Sequence, residues 1–262
     1  MQDRLRTQYK DASNLNARIQ LHLRFSTSTV LWQRWVFDHL NLPFGVRILE
    51  LGCGPGDLWS QNAERLLPNW EMVLTDFSPG MLEAAQKNLA SVPGQFSYKL
   101  VDAQDIPFQD RSFDAVVANH MLYHVPDRPR ALVEIRRVLK PGGRLYASTV
   151  GGTHMAEMWA LLSPFTPHLL ERFTRASTGF TLENGAEQLE CVFDQVQRMD
   201  FADSLEITDA EAVIAYLQSS TTMVGFVLTG DVVMHIREQV TAAIDAFGAF
   251  HVTKTAGLLI GR

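Results

Sequence analysis

VRILELGCGPGDLW, residues 46–59, is the stretch on which the reading of the whole chain turns. VRILEL is an apolar run of strand length, and the glycines at 52, 54 and 56 follow where a helix should begin. Such glycines permit a tight turn and let a ligand come close to bare backbone. The spacing is not that of a dinucleotide loop: the third glycine comes one position early, and Asp57 stands where Gly-x-Gly-x-x-Gly needs it. No Lys-Ser or Lys-Thr pair follows, so a triphosphate P-loop is excluded as well. Glu50, two positions before the first glycine, is a poor neighbour for a pyrophosphate and a good one for a ligand with a cationic end.

Outward from this loop the same rhythm repeats. EMVLTDF (71–77), QFSYKLVDA (95–103), FDAVVANHML (113–122) and RLYASTV (144–150) read as further strands. PGMLEAAQKNL (79–89) and RPRALVEIRRVLKPGG (128–143) read as helices between them, the second closed by a Pro-Gly-Gly stop. Alternation of this kind predicts an α/β fold with a parallel sheet covered on both faces. Before it, NLNARIQLHLRF and STVLWQRWVFDHLNL are helical by period, with Ser26, Thr27 and Ser28 offering capping hydroxyls. After residue 150, stretches 154–175 and 209–247 read as helical, a helix and strand fall near 185–203, and FHVTKTAGLLIG closes as a strand.

Composition bounds the rest. The chain has 262 residues, 46% of them hydrophobic, and 29 acidic against 23 basic side chains give a net charge of −6. That is ample for a buried core and unsuited to a general nucleic-acid binder. Two distant cysteines, Cys53 and Cys191, supply neither a disulfide framework nor a metal cluster, so no metal is expected. The polar start MQDRLRTQYKD has no apolar core of a signal peptide, and no run approaches the roughly 20 residues of a membrane span. A cytoplasmic protein without membrane or nucleic-acid partners is the expectation.

With E-x-G-x-G-x-G at Glu50–Gly56, TDFSPGML, DAQDIPFQDRSFDAVVANHMLYHVPD and EIRRVLKPGGRL in that order, the chain resembles the class I S-adenosylmethionine-dependent methyltransferases of the small-molecule group. The resemblance covers about residues 40–150. It implies a doubly wound, mostly parallel seven-stranded Rossmann-like sheet with an antiparallel last strand and a helical lid. One domain over 1–262 is expected, with a core of 40–152, 185–207 and 246–262 and an arm and lid of 1–39, 153–184 and 208–245.

Carried over residue by residue, Gly52, Cys53 and Gly54 would lie along the methionine part of S-adenosylmethionine, whose product is S-adenosylhomocysteine. Glu50 would organise the loop or reach the amino group through water. Asp76 would accept from both ribose hydroxyls, a natural match of carboxylate to vicinal diol; Phe77 and Met81 would line the adenine side. Asp102, Ala103 and Gln104 would meet the adenine edge, Asn119 the sulfonium end. Tyr9 and Arg18, on the N-terminal arm, would reach the cofactor from a lid. Asp76 also fits a plain helix cap, and Phe77 plain core.

Methyl transfer to an amine or hydroxyl needs a proton acceptor, and His120, His124 and His154 are the candidates. The stretch after the fourth strand reads NHMLYH. It lacks the Pro-Pro-aromatic grip of base-methylating relatives and the paired glutamates of protein-arginine enzymes. The acceptor expected is therefore a small, largely apolar or aromatic molecule, methylated on O or N and less readily on C. Met155, Met158, Trp159, Phe165, Phe173, Phe180, Tyr216, Met223 and Phe226 are read as its walls, or else as the lid's own packing. A non-catalytic S-adenosylmethionine sensor and a homodimer stay open, and a nicotinamide oxidoreductase is disfavoured by the glycine spacing.

Overall fold

The computed structural model describes residues 13–166, 179–221 and 226–262, with side chains from residue 19 onward. In chain order the elements are α1 (Ser13–Phe25), α2 (Trp32–His39), β1 (Arg47–Leu51), α3 (Asp57–Ser60), β2 (Glu71–Asp76), α4 (Pro79–Leu89), β3 (Gln95–Leu100) and β4 (Phe113–Asn119). Then follow α5 (Arg128–Val138), β5 (Leu139–Val150), α6 (Ala156–Ala160), α7 (Gly185–Glu190), β6 (Val196–Ile207), α8 (Ala210–Thr221), α9 (Gly230–Phe247) and β7 (Phe250–Gly261). The seven strands form one sheet in the order β3-β2-β1-β4-β5-β7-β6. β1, β2, β3, β4 and β5 pair in parallel, and β7 runs antiparallel to β5. This is the fold the sequence predicts.

The central strands are apolar on both faces because both faces are covered. On β1, Ile48 joins Leu74, Val117, Leu58, Trp59 and Val36 on one side, while Leu49 and Leu51 join Val116, Ile135 and Val138 on the other. The strand's period of two thus feeds two apolar layers. α4 begins at Ser78, whose hydroxyl accepts from the Met81 N–H, with Pro79 at the first turn. α5 begins at Asp127, which accepts from the Arg130 N–H, and buries Ala131, Leu132, Ile135 and Val138 along one stripe.

The Pro-Gly-Gly stop has a different form from that expected. α5 ends at Val138, and Leu139 already pairs with Phe113; the register then jumps so that Arg144 faces Ala115. LKPGG is a bulge inside β5, pinned by Lys140, whose ammonium donates to both Asp114 oxygens at 2.9 and 2.8 Å.

The chain expected as one domain divides into two compact units: 32–151, 177–201 and 256–262 form the sheet unit, and 1–31, 152–176 and 202–255 the helical unit. Four boundaries therefore move by more than one residue. α2 goes with the sheet unit, because Val36, Phe37 and Leu40 are buried beside Leu58 and Trp70. Residues 179–184, expected in the lid, also go there, where Phe180 packs with Leu189 and Leu259. The stretches 202–207 and 250–255 go with the helical unit, whose core holds Leu205, Ile207 and Val252 with Leu21, Val213, Leu217, Ile236 and Val240.

Candidate active site

The strand order reverses between β1 and β4, and crevices beyond strand carboxyl ends at such a switch are where open α/β sheets bind ligands. The glycine loop leaves β1 at this point. Gly52 and Gly54 have φ of +66° and +53°, which L side chains rarely adopt. A Cβ at Gly52 would fall 2.8 Å from Met121 Cβ, so the loop packs directly on the segment after β4. A Cβ at Gly54 would meet nothing within 4 Å: there the backbone borders open space.

Asp76, at the end of β2, holds the loop. Its Oδ2 accepts from the Gly54 N–H at 3.0 Å and its Oδ1 from the Ser78 N–H at 2.8 Å. Each oxygen thereby receives a backbone donor, Phe77 adds a further main-chain hydrogen bond to the carboxylate, and its roughly four lone-pair sites leave acceptor capacity. The Cys53 N–H donates to Thr75 O at 2.9 Å, and the Thr75 hydroxyl donates to Glu50 O at 2.7 Å. Phe77 is half-buried; Met81 is buried in the first turn of α4.

Glu50 faces inward. It is 2% exposed, and its Oε2 accepts from the indole N–H of the fully buried Trp59 at 2.6 Å. Burial pushes its carboxyl up to about 8, with Asp76 and Asp57 adding to the rise and the Trp59 hydrogen bond opposing it. Burial also raises Asp57 and Asp76, the latter against the main-chain N–H groups of Ser78 and Gly54. The Cys53 thiol is pushed up by burial, then by Glu50 and Asp76, which makes it an inert packing group rather than a nucleophile. Three carboxyls held above their ordinary range mark surroundings that disfavour further negative charge and would gain from a cation.

Beyond β3, Asp102 Oδ1 accepts from the Gln104 main-chain and side-chain N–H groups, both at 2.9 Å, and Gln104 Oε1 accepts from the Asp127 N–H at 2.9 Å. Ala103 is buried between them. The main chain ties this turn to Asp76, since the Val101 N–H donates to Asp76 O at 3.1 Å.

Beyond β4, Asn119 Oδ1 accepts from the Ser148 hydroxyl at 2.5 Å and from the Trp32 indole N–H at 3.3 Å. The His120 N–H donates to Ser148 Oγ at 2.9 Å, and His120 sits at φ +53°, a left-handed conformation uncommon outside glycine. Its ring lies 4.8 Å from that of Trp32 and 6.3 Å from that of Tyr123. His124 ends the short 3-10 turn Leu122–His124, its ring 4.5 Å from Tyr123.

The structure thus gathers Glu50, Gly52, Cys53, Gly54 and Asp76 round one loop, Asp102, Ala103 and Gln104 in the next, and Asn119 and His120 beside them. His154 belongs to the helical unit, where its Nδ1 accepts from the Thr255 N–H at 3.2 Å. Burial, followed by the nearby Lys254 ammonium, pushes it down to about 4, a weak proton acceptor at neutral pH. Tyr9, Phe173 and Met223 lie outside the described residues, as does the side chain of Arg18, whose backbone is in α1. Of the expected walls, Met155, Met158 and Tyr216 are buried in the helical unit's own core and Phe180 in that of the sheet unit. They are packing.

Sequence reasoning misses Trp59, Met121, Trp32 and Ser148. Ser148 had no local signal, because it is set opposite Asn119 only by the register of β4 and β5. Trp59 had a weak one, its place just after the loop. Among the described residues, no helix is long and apolar enough to cross a membrane, and no group of three His, Cys, Asp or Glu side chains could hold a metal ion.

Residues 49–147 match a family model described as a methyltransferase domain. A ubiquinone/menaquinone biosynthesis C-methyltransferase of Idiomarina loihiensis is 35% identical over 117 residues, 44% of this chain and 47% of that protein. The protein of the same description in Vibrio parahaemolyticus is 29% identical over 178 residues, 67% of either chain. The first alignment spans about half the length of the relative it matches. A solved phosphoethanolamine N-methyltransferase of Haemonchus contortus, in complex with phosphomonomethylethanolamine and S-adenosylhomocysteine, superimposes with a TM-score of 0.60. It is 17% identical, and the match covers 99% of this chain and 59% of that one, a likeness of fold.

Proposed function

We propose that this chain, whose residues 49–147 form a methyltransferase domain, binds S-adenosylmethionine at the β1, β2 and β4 ends and transfers its methyl group to a small acceptor. The observation that carries this reading is the loop at Gly54, where bare backbone borders open space and the N–H donates to Asp76. The residues fit the cofactor's chemistry. Asp76 keeps acceptor capacity on both oxygens for a vicinal diol, and three carboxyls of raised pKa would be relieved by a sulfonium and an ammonium.

Bound there, the cofactor supplies an electrophilic methyl group. The chain's part is to hold the acceptor in line with it and take its proton. Such positioning is worth roughly 7–11 kcal/mol in well-oriented systems. His120 and His124, at the β4 end, are the proton acceptors of this reading; His154 is not one of them, because its ring is too weakly basic. The acceptor is a largely apolar or aromatic small molecule methylated on O or N, and the description of the two bacterial relatives supports C beside them.

Calorimetry with S-adenosylmethionine, S-adenosylhomocysteine and NADH tests the cofactor: the first two bind and NADH does not, and tight binding of NADH alone would overturn the reading. A metabolite extract incubated with methyl-labelled cofactor then yields a labelled product by mass spectrometry. Binding without any labelled product would instead support a non-catalytic sensor.

A further inference from the structure

A row of aromatic rings, most of them read from sequence as ordinary helix or strand residues, runs along the β4 end of the sheet unit. Trp35 and Trp32, one helical turn apart on α2, stack with centroids 5.3 Å apart and planes at 27°. Trp32 and His120 follow at 4.8 Å and 34°. Phe201 backs the pair from the side, 5.3 Å from Trp32 at 79° and 5.2 Å from Trp35 at 56°. Tyr123 continues the row 6.3 Å from His120. Phe201 is buried, while Trp32, Trp35, His120 and Tyr123 are each partly open.

We infer that this row is the acceptor wall, that it selects a planar aromatic acceptor, and that Trp32 is the residue that does the selecting. The inference rests on the methyltransferase reading above. Trp35, Trp32 and His120 lie with successive planes near 30° of one another, and His39 covers the Trp35 end at 4.3 Å, so a further flat ring joins the series on the His120 side by offset stacking. A cage for an alkylammonium instead needs ring faces converging at steep angles on one open point, and Phe201, the ring steep to both tryptophans, is buried behind them. The hydrogen bonds fix the row in place. Trp32 donates to Asn119 Oδ1, Ser148 donates to the same oxygen, and the His120 main chain donates to Ser148 Oγ. One amide oxygen thus locks the indole of α2 to the strand ends, directly beside the glycine loop that packs on Met121.

The test uses the full chain saturated with S-adenosylhomocysteine and titrated with naphthol, choline or hexanol by calorimetry. Naphthol is expected to bind more tightly than either of the others. Trp32→Ala should weaken naphthol by at least about tenfold, Trp32→Phe by only a few-fold, since it keeps a ring and loses the N–H. Both variants should hold S-adenosylhomocysteine as the parent does, which also reports that they are folded. Tighter binding of choline, equal binding of hexanol, binding of none of the three, or an undiminished naphthol affinity in Trp32→Ala would each overturn the inference while leaving the cofactor reading intact. Failure of the parent chain to bind S-adenosylhomocysteine would bring down both.

Discussion

Glu50 is the residue whose protonation carries most consequence. Its folded pKa is about 8 against an ordinary 4.5, so below pH 4.5 it is protonated whether the chain is folded or not. Between the two values only the folded chain keeps the proton, and stability falls as pH rises until the native group ionises as well. Glu50→Gln keeps an acceptor for Trp59 and removes the ionisation. The variant should therefore match the parent near pH 4 and exceed it progressively up to pH 8 in denaturant unfolding; parallel pH profiles would show that Glu50 ionises freely in the fold. A bound cation reverses the preference, so uptake of S-adenosylmethionine should release a proton and tighten with pH, visible as a buffer-dependent binding enthalpy. At Asp76 the expected loss is simpler. Asp76→Ala removes an acceptor worth roughly 1.5–3 kcal/mol per charged hydrogen bond, about 10- to 150-fold in the dissociation constant of S-adenosylhomocysteine. An unchanged constant would refute the diol assignment.

At the scale of elements, the turn leaving α1 shows what sequence period conveys and what it leaves out. Ser26, Thr27 and Ser28 read as helix caps, yet the Ser26 hydroxyl donates to Asp203 Oδ2 at 2.6 Å and the Ser28 N–H to Asp203 Oδ1 at 3.0 Å, far away on β6. Lys254 of β7 pairs with the same carboxylate, and both side chains are buried. Burial pushes Asp203 up, but the hydrogen bonds from Lys254 and Ser26 outweigh it and hold the carboxyl below its usual range. Its contribution is therefore present at neutral pH and lost as pH falls through the acid range. Lys254→Met should cost about 3–5 kcal/mol at pH 7, because it leaves a buried unpaired charge. The deficit should shrink towards pH 4 as Asp203 takes up a proton, and a deficit independent of pH would mean the pair is not what holds α1 to the strands. Local signals expose apolar runs such as ILEL and AVVA, whose burial on both faces needs no partner to be known. They miss Ser148 and Trp32, whose roles exist only once β4 and β5 are in register and α2 has docked. They leave Met155 and Met158 open between an acceptor wall and the chain's own packing, since hydrophobicity says that a side chain is covered but not by what; in the fold both lie in the helical unit's core.

Over the whole molecule, neither compact unit is continuous in sequence, and β6 and β7 each contribute residues to both. Among the described residues, the sheet unit is closed by two apolar layers on opposite faces of its strands, whereas the helical unit rests on one cluster around Leu21, Leu217 and Val240. Opening free energies follow buried apolar contacts, so amides of α8 and α9 should exchange at a lower free energy than those of β1 and β4. The glycine loop, Asp76 and the Asp102 turn all belong to the sheet unit. Ligand binding there adds RT ln(1 + [L]/Kd) to every opening that destroys the site and nothing to openings that leave it standing. Saturating S-adenosylhomocysteine should then slow exchange at β1, β2 and β4, while sub-global opening of α8 and α9 proceeds at its former rate. Equal slowing in both units would mean that they open as one.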